Sequence, residues 1–198
     1  MFGLAQDLAQ RKVLGDDLDI EIKAFDETNT VIPIAQIARR ILANNGQGLV
    51  CLVGVQSNQY PRAMDIARQF CDQGVQVAIG GFHVSGCLSM LPTLPEDLRE
   101  AQSLGISLFA GEAEGRLEQI FADAINQRMA PLYNFMDDLP GLENNPHPFF
   151  RKNSLSVTPV NWHASMQGAA ARSLAVSARL LMCKAANRDF STPMISKH

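Results

Sequence analysis

From Asp19 to about Gly111 the chain alternates short apolar runs with amphipathic segments. Residues 20–25 alternate apolar with charged side chains, the pattern of a strand exposed on one face or lying at an edge. Residues 49–55 are continuously apolar and rich in β-branched side chains, as in a parallel strand covered on both faces. Residues 75–79 and 106–109 repeat that pattern more briefly. Between these runs the spacing predicts helices with recognisable ends. Pro33 opens a segment whose Ile34, Ile37, Ala38 and Ile41 share a face, and Asn44-Asn45-Gly46 closes it. Pro61 opens a second, with Ala63, Ile66, Ala67 and Phe70 at helical spacing and Gly74 as its stop. Pro95-Glu96-Asp97 begins a third with acids in its first turn, where the helix dipole favours them. A fourth is expected over 112–126, with Leu117, Ile120, Phe121 and Ala124 inward. Strands and helices in alternation predict an α/β fold, a flavodoxin-like (Rossmann-like) doubly wound parallel sheet with right-handed crossovers.

One strand is missing from that pattern. The chain opens inside a helical period, residues 4–14, whereas doubly wound domains usually start on a strand near the centre of the sheet. The expectation is therefore a sheet lacking its N-terminal strand. A strand order of 2-1-3-4-5 would put that strand between residues 20–25 and residues 49–55. Residues 1–126 read as the α/β domain. Residues 127–155 read as a connector, broken by Pro131, Asp137-Asp138, Pro140-Gly141 and Pro146-His147-Pro148. Residues 156–198 change character, with many alanines, little amphipathic logic and no caps, and read as a non-native or disordered tail.

Composition removes several function classes. The 198 residues are 46% hydrophobic and 19% charged, an ordinary globular balance with room for one sizeable core. Seventeen Lys and Arg against twenty Asp and Glu leave a net charge of -3, so no basic field is available to hold a phosphate backbone and no nucleic-acid partner is expected. No apolar run approaches the roughly 18–20 residues that cross a bilayer, and the first residues are not a basic-then-apolar leader, so no membrane partner and a cytoplasmic setting are expected. The cysteines at 51, 71, 87 and 183 have neither disulfide-framework nor CxxC spacing.

In an open α/β sheet, ligands bind beyond the carboxyl ends of the strands. Three stretches fall there. Gln56, Ser57 and Asn58 follow the most apolar run; Gly80, Gly81 and His83 follow the next; Gly111, Glu112 and Glu114 follow the last. The glycine pair would let a ligand approach the backbone, and His83 could ligate or transfer a proton. Each has a plainer reading: a strand-to-loop turn for the glycines, a hydrogen-bonding loop residue for His83, first-turn acids for Glu112 and Glu114, and loop backbone partners for the polar trio. No GxGxxG, GxxxxGK[ST] or GxSxG occurs, so nicotinamide, P-loop and serine-hydrolase signatures are absent. The surface is polar, glycine-rich and suited to a large neutral ligand.

Residues 49–63, the run Gly80-Gly81-Phe82-His83-Val84-Ser85-Gly86 and the run Phe109-Ala110-Gly111-Glu112-Ala113-Glu114 together resemble the cobalamin (B12)-binding domain that precedes the catalytic barrel of B12-binding radical SAM proteins. Residues 131–140 are similar to the segment joining the two domains there, so the resemblance covers about residues 1–150. It implies cobalamin as cofactor and partner. Gly80 and Gly81 would lie against its nucleotide tail, with Gln56 and Ser57 nearby; Asn58, His83, Gly111 and Glu112 complete the implied binding set. Better-known B12 domains carry DxHxxG, whose histidine ligates cobalt. That motif is absent here, so affinity would come from the loops alone.

The resemblance also implies a following CxxxCxxC, whose thiolates hold a [4Fe–4S] cluster for S-adenosylmethionine. The tail has only Cys183, but Ala171, Ala175 and Ala178 have that spacing. Read in the neighbouring frame that takes the last base of one codon with the first two of the next, every alanine becomes Cys, Arg, Ser or Gly. The expectation is a frameshifted product, native-like to about residue 150–160, in which cluster and S-adenosylmethionine belong to the full-length parent only. The function expected is that of a truncated cobalamin-binding module. Two alternatives stay open: a small α/β enzyme using His83 and Glu112 as an acid/base pair, and a non-functional gene remnant.

Overall fold

The computed structural model describes residues 1–27, 30–138, 140–141 and, as backbone, 179–187. Each predicted apolar run is a strand: β1 (Leu18–Asp26), β2 (Gly48–Val53), β3 (Gln76–Gly80) and β4 (Ser107–Gly111). With β5 (Leu132–Phe135) and β6 (Arg179–Asn187) they form one sheet in the order β1-β6-β2-β3-β4-β5, in which β2 through β5 are parallel. Two helices, α1 (Phe2–Arg11) and α6 (Leu117–Ile125), pack with one face of the sheet. Four pack with the other: α2 (Ile34–Leu42), α3 (Tyr60–Cys71), α4 (Phe82–Met90) and α5 (Glu96–Ser103). The fold is α/β with a four-stranded parallel core flanked by helices, in keeping with the flavodoxin-like reading.

The two faces follow from strand alternation. Val50, Leu52, Val77, Ile79, Leu108 and Ala110 enter the core beneath α2 to α5. Leu49, Cys51, Ala78, Phe109 and Tyr133 face the other way, toward α1 and α6. Both sets are buried, which is why β2, β3 and β4 read as unbroken apolar runs. The helices place their predicted faces inward: Ile37, Ala38 and Ile41 on α2; Ala63, Ile66, Ala67 and Phe70 on α3; Leu117, Ile120, Phe121 and Ala124 on α6. α3 ends where predicted, Gly74 turning the chain so that the Val75 N–H bonds the Phe70 carbonyl at 3.1 Å.

Three elements depart from the sequence reading. Residues 82–86, read as part of a glycine-rich loop, begin α4; Ser85, Gly86 and Ser89 interrupt the apolar positions, so the segment shows no amphipathic period. Residues 132–135, assigned to the connector, form β5 at the sheet edge with Tyr133 buried. A four-residue strand between Pro131 and Asp137-Asp138 is too short to show a period. The fourth helix begins at Leu117 rather than 112, after the turn at Gly115.

The most consequential departure concerns the missing strand. β1 and β2 are not neighbours; a one-strand slot lies between them, where the 2-1-3-4-5 order predicted it. β6 fills that slot and runs antiparallel to both, Ile22 and Leu49 each facing Cys183 in register. Within the segment read as a non-native or disordered tail, residues 179–187 are thus a strand. Arg179–Asn187 shows no strict alternation of apolar and polar residues, so it gave no strand signal. The rest of that tail, with Ala171, Ala175 and Ala178, lies outside the described residues, as do Pro146-His147-Pro148. Among the described residues no helix is long and apolar enough to cross a membrane.

Candidate functional site

The carboxyl ends of β2, β3 and β4 open onto a cavity of about 290 Å³ between the sheet and helices α1 and α6. It exists because of what the strands carry on that face. Cys51 pairs with Ala78, Val53 with Gly80 and Gly80 with Phe109, so the floor is built from small side chains with Phe109 along one side. Leu4, Leu117 and Ile120 form the apolar roof; Gly81, Gly111, Glu112 and Glu114 stand at the strand ends. A close-packed interior rarely leaves such a volume unfilled. Burial pushes the Cys51 thiol up to about 12, so it behaves as a small apolar group and not as a nucleophile.

The glycines at this edge are required by the backbone itself. A Cβ on Gly81 would lie 2.3 Å from the Val55 nitrogen, and Gly81 has φ +143°. A Cβ on Gly111, at φ +99°, would lie 2.8 Å from the Phe135 carbonyl carbon and oxygen. The Gly111 N–H donates to the Ser85 hydroxyl at 3.1 Å, tying the end of β4 to α4. Gly80 differs. Its backbone is unstrained, and a Cβ there would crowd the Phe109 Cβ at 3.2 Å, on the side that lines the cavity.

A second cluster forms where the β2–α3 loop meets α4. His83 lies in the first turn of α4, its N–H donating to the Val55 carbonyl at 3.0 Å. Its ring is nearly buried, with Nδ1 3.1 Å from the Ser57 hydroxyl and Nε2 2.9 Å from Asp97 Oδ2. The Tyr60 ring packs against it, centroids 4.2 Å apart. The Tyr60 hydroxyl donates to the Asp97 carbonyl at 3.2 Å, and burial together with Asp97 and Glu100 holds its phenol above the ordinary range. Burial and Asp97 also raise the Cys87 thiol, whose sulfur is 4.0 Å from both ring nitrogens. This cluster borders a separate pocket of about 190 Å³.

The structure thus divides the residues named from the sequence. Gly80, Gly81, Gly111 and Glu112 line the first cavity; Ser57 and His83 line the second pocket. His83 and Glu112, considered as an acid/base pair, stand in different pockets, and the carboxylate on His83 is Asp97. Gln56 and Asn58 are exposed, with the Gln56 N–H capped by the Gln59 side chain at 3.1 Å. Sequence reasoning missed Cys51, Ala78 and Phe109, which were read as strand core, and Asp97, which was read as a helix-capping acid. Small residues at the carboxyl end of successive buried strands were the available signal for the first three. Among the described residues no three His, Cys, Asp or Glu side chains are grouped to hold a metal ion. Comparison with protein-family models, with curated proteins and with solved structures finds no match for this chain.

Proposed function

We propose that the chain is a cobalamin-binding module of the kind that accompanies a radical SAM barrel. The observation that supports this reading is the apolar cavity at the carboxyl end of the parallel strands, kept open by Cys51, Ala78 and Gly80. Its volume sits at the lower end of small-molecule sites, about 300 Å³ upward. That suits a planar base at the end of a cofactor tail and is too small for a whole macrocycle. In this reading Gly80 and Ala78 receive the tail and Phe109 offers a ring for it to pack on, while Gly81 and Gly111 hold the strand ends in place. The polar side chains of Gln56 and Asn58, both exposed, stand ready for the amide periphery of a neutral ligand. When bound, cobalamin supplies a cobalt centre able to carry a methyl group. This chain's own residues bind and orient it and shield its tail from water.

Hydroxocobalamin mixed with the purified protein and then desalted tests the reading. Cofactor absorbance should co-elute with the wild type and with His83→Ala, and should be lost from Gly80→Val, whose branched side chain enters the cavity. A wild type that elutes colourless while unfolding cooperatively sinks the proposal.

A further inference from the structure

The second pocket has a chemistry that the cofactor reading does not use. Ser57, His83 and Asp97 come from three elements: the loop before α3, the first turn of α4 and the start of α5. They are joined in a single line of hydrogen bonds. A carboxylate only accepts, so the neutral imidazole donates from Nε2 to Asp97 and leaves the Nδ1 lone pair for the Ser57 hydroxyl proton. Asp97 is itself held, its other oxygen accepting the Leu98 N–H at 2.8 Å and its carbonyl accepting the Tyr60 hydroxyl. Tyr60 fixes the plane of the imidazole from one side. Ser57, by contrast, is exposed, at the mouth of a pocket walled by Phe82, Met90 and Leu91, three large apolar side chains that are themselves open to solvent.

We propose that Ser57 is an activated nucleophile, with His83 as its base and Asp97 as the positioning carboxylate, and that the pocket takes carboxylic esters with a short apolar acyl chain. The arrangement has the order nucleophile, base, orienting carboxylate that defines such sites irrespective of fold. In the first half-reaction the Ser57 oxygen bonds to the ester carbonyl carbon while its proton moves to His83 Nδ1. The carbon–oxygen bond to the leaving alcohol then breaks, and the alcohol departs with that proton. Water repeats the sequence on the acyl-serine, giving up a proton to Nδ1, releasing the carboxylic acid and restoring the Ser57 hydroxyl. No oxidant, reductant or metal is needed. Cys87, although within 4.0 Å of the ring, has no part in it, because burial and Asp97 keep its thiol protonated. The inference is independent of cobalamin binding, since the two pockets share no lining residue.

The test is hydrolysis of p-nitrophenyl butyrate by the full chain, with a fluorophosphonate probe and peptide mapping to locate the nucleophile. Wild type should release p-nitrophenol above background and take the probe on Ser57. Ser57→Ala, an exposed change that leaves the core untouched, should lose both, and Cys87→Ala should still take the probe on Ser57. Asp97→Asn should lower kcat by about a hundredfold or more with KM unchanged, as expected of a group that orients the base without touching the ester. Turnover equal in wild type and Ser57→Ala, or a label on any other residue, overturns the assignment. Circular dichroism on each variant separates loss of chemistry from loss of fold.

Discussion

The backbones of Gly81 and Val55 are interlocked: the Val55 N–H donates to the Gly80 carbonyl at 3.1 Å, and its own carbonyl accepts the His83 N–H at 3.0 Å. Gly81 is the residue enclosed by those two bonds. A Cβ there would have to occupy the position of the Val55 peptide, in a backbone conformation that side chains rarely adopt. Gly81→Ala should therefore cost about 3 kcal/mol, from backbone strain and contact together. Equilibrium urea unfolding measures it, and a loss under about 1 kcal/mol would show that the interlock relaxes freely.

Ala78 tests the first cavity without touching the backbone. It is buried, and one of the small residues on the cavity floor. Ala78→Val should leave stability within about 1 kcal/mol of wild type, because the added methyls enter open volume. It should also reduce hydroxocobalamin retention at least as much as it narrows the cavity. Loss of stability by several kcal/mol with retention unchanged would place the tail elsewhere.

Stability should fall as the pH rises above about 9. The Cys51 thiol is raised by burial from 9.0 to about 12, so between those values the unfolded chain gives up a proton that the folded chain retains. The folded state then binds more protons, and stability falls with rising pH. The slope from this group is about 1.4 kcal/mol per pH unit over that window. Tyr60, also raised, adds to it higher in the range. Thermal unfolding of wild type and Cys51→Ala from pH 8 to pH 11 should show curves that separate above pH 9. Parallel curves would mean that the thiol ionises without unfolding.

The strand between β1 and β2 makes a prediction of its own. Met182 faces Lys23 on one neighbour and Val50 on the other. Proline at 182 removes a backbone donor in the middle of a doubly paired strand. Met182→Pro should lower stability by about 2–3 kcal/mol and speed amide exchange in both β1 and β2. Unchanged exchange in those strands would show that they do not depend on β6.

Legibility tracked how local the cause was. α3 could be read residue by residue, because Ala63, Ile66, Ala67 and Phe70 repeat at helical spacing and all four are buried. β5 could not, because its place at the edge depends on pairing with β4 and not on any run of its own. At the candidate site, Gly80, Gly81, His83 and Glu112 could be named as strand-end residues, since strand ends are where loops converge. Their division between two pockets was hidden, because it depends on α4 starting at Phe82 and turning His83 toward Ser57 and Asp97, residues 26 and 14 positions away.

By itself the sequence determined the α/β class, the four principal strands, the inward faces of the helices and the empty place beside β2. Those follow from periodicity and from end signals that act over a few residues. Only the tertiary structure decided what occupies that place and which side chains meet. β6 arrives from some 130 residues beyond its neighbour β2 through backbone hydrogen bonds that carry no sequence code. The cavity likewise arises from Cys51, Ala78 and Gly80 lying side by side on three-dimensional neighbours, a coincidence of register that no single segment records.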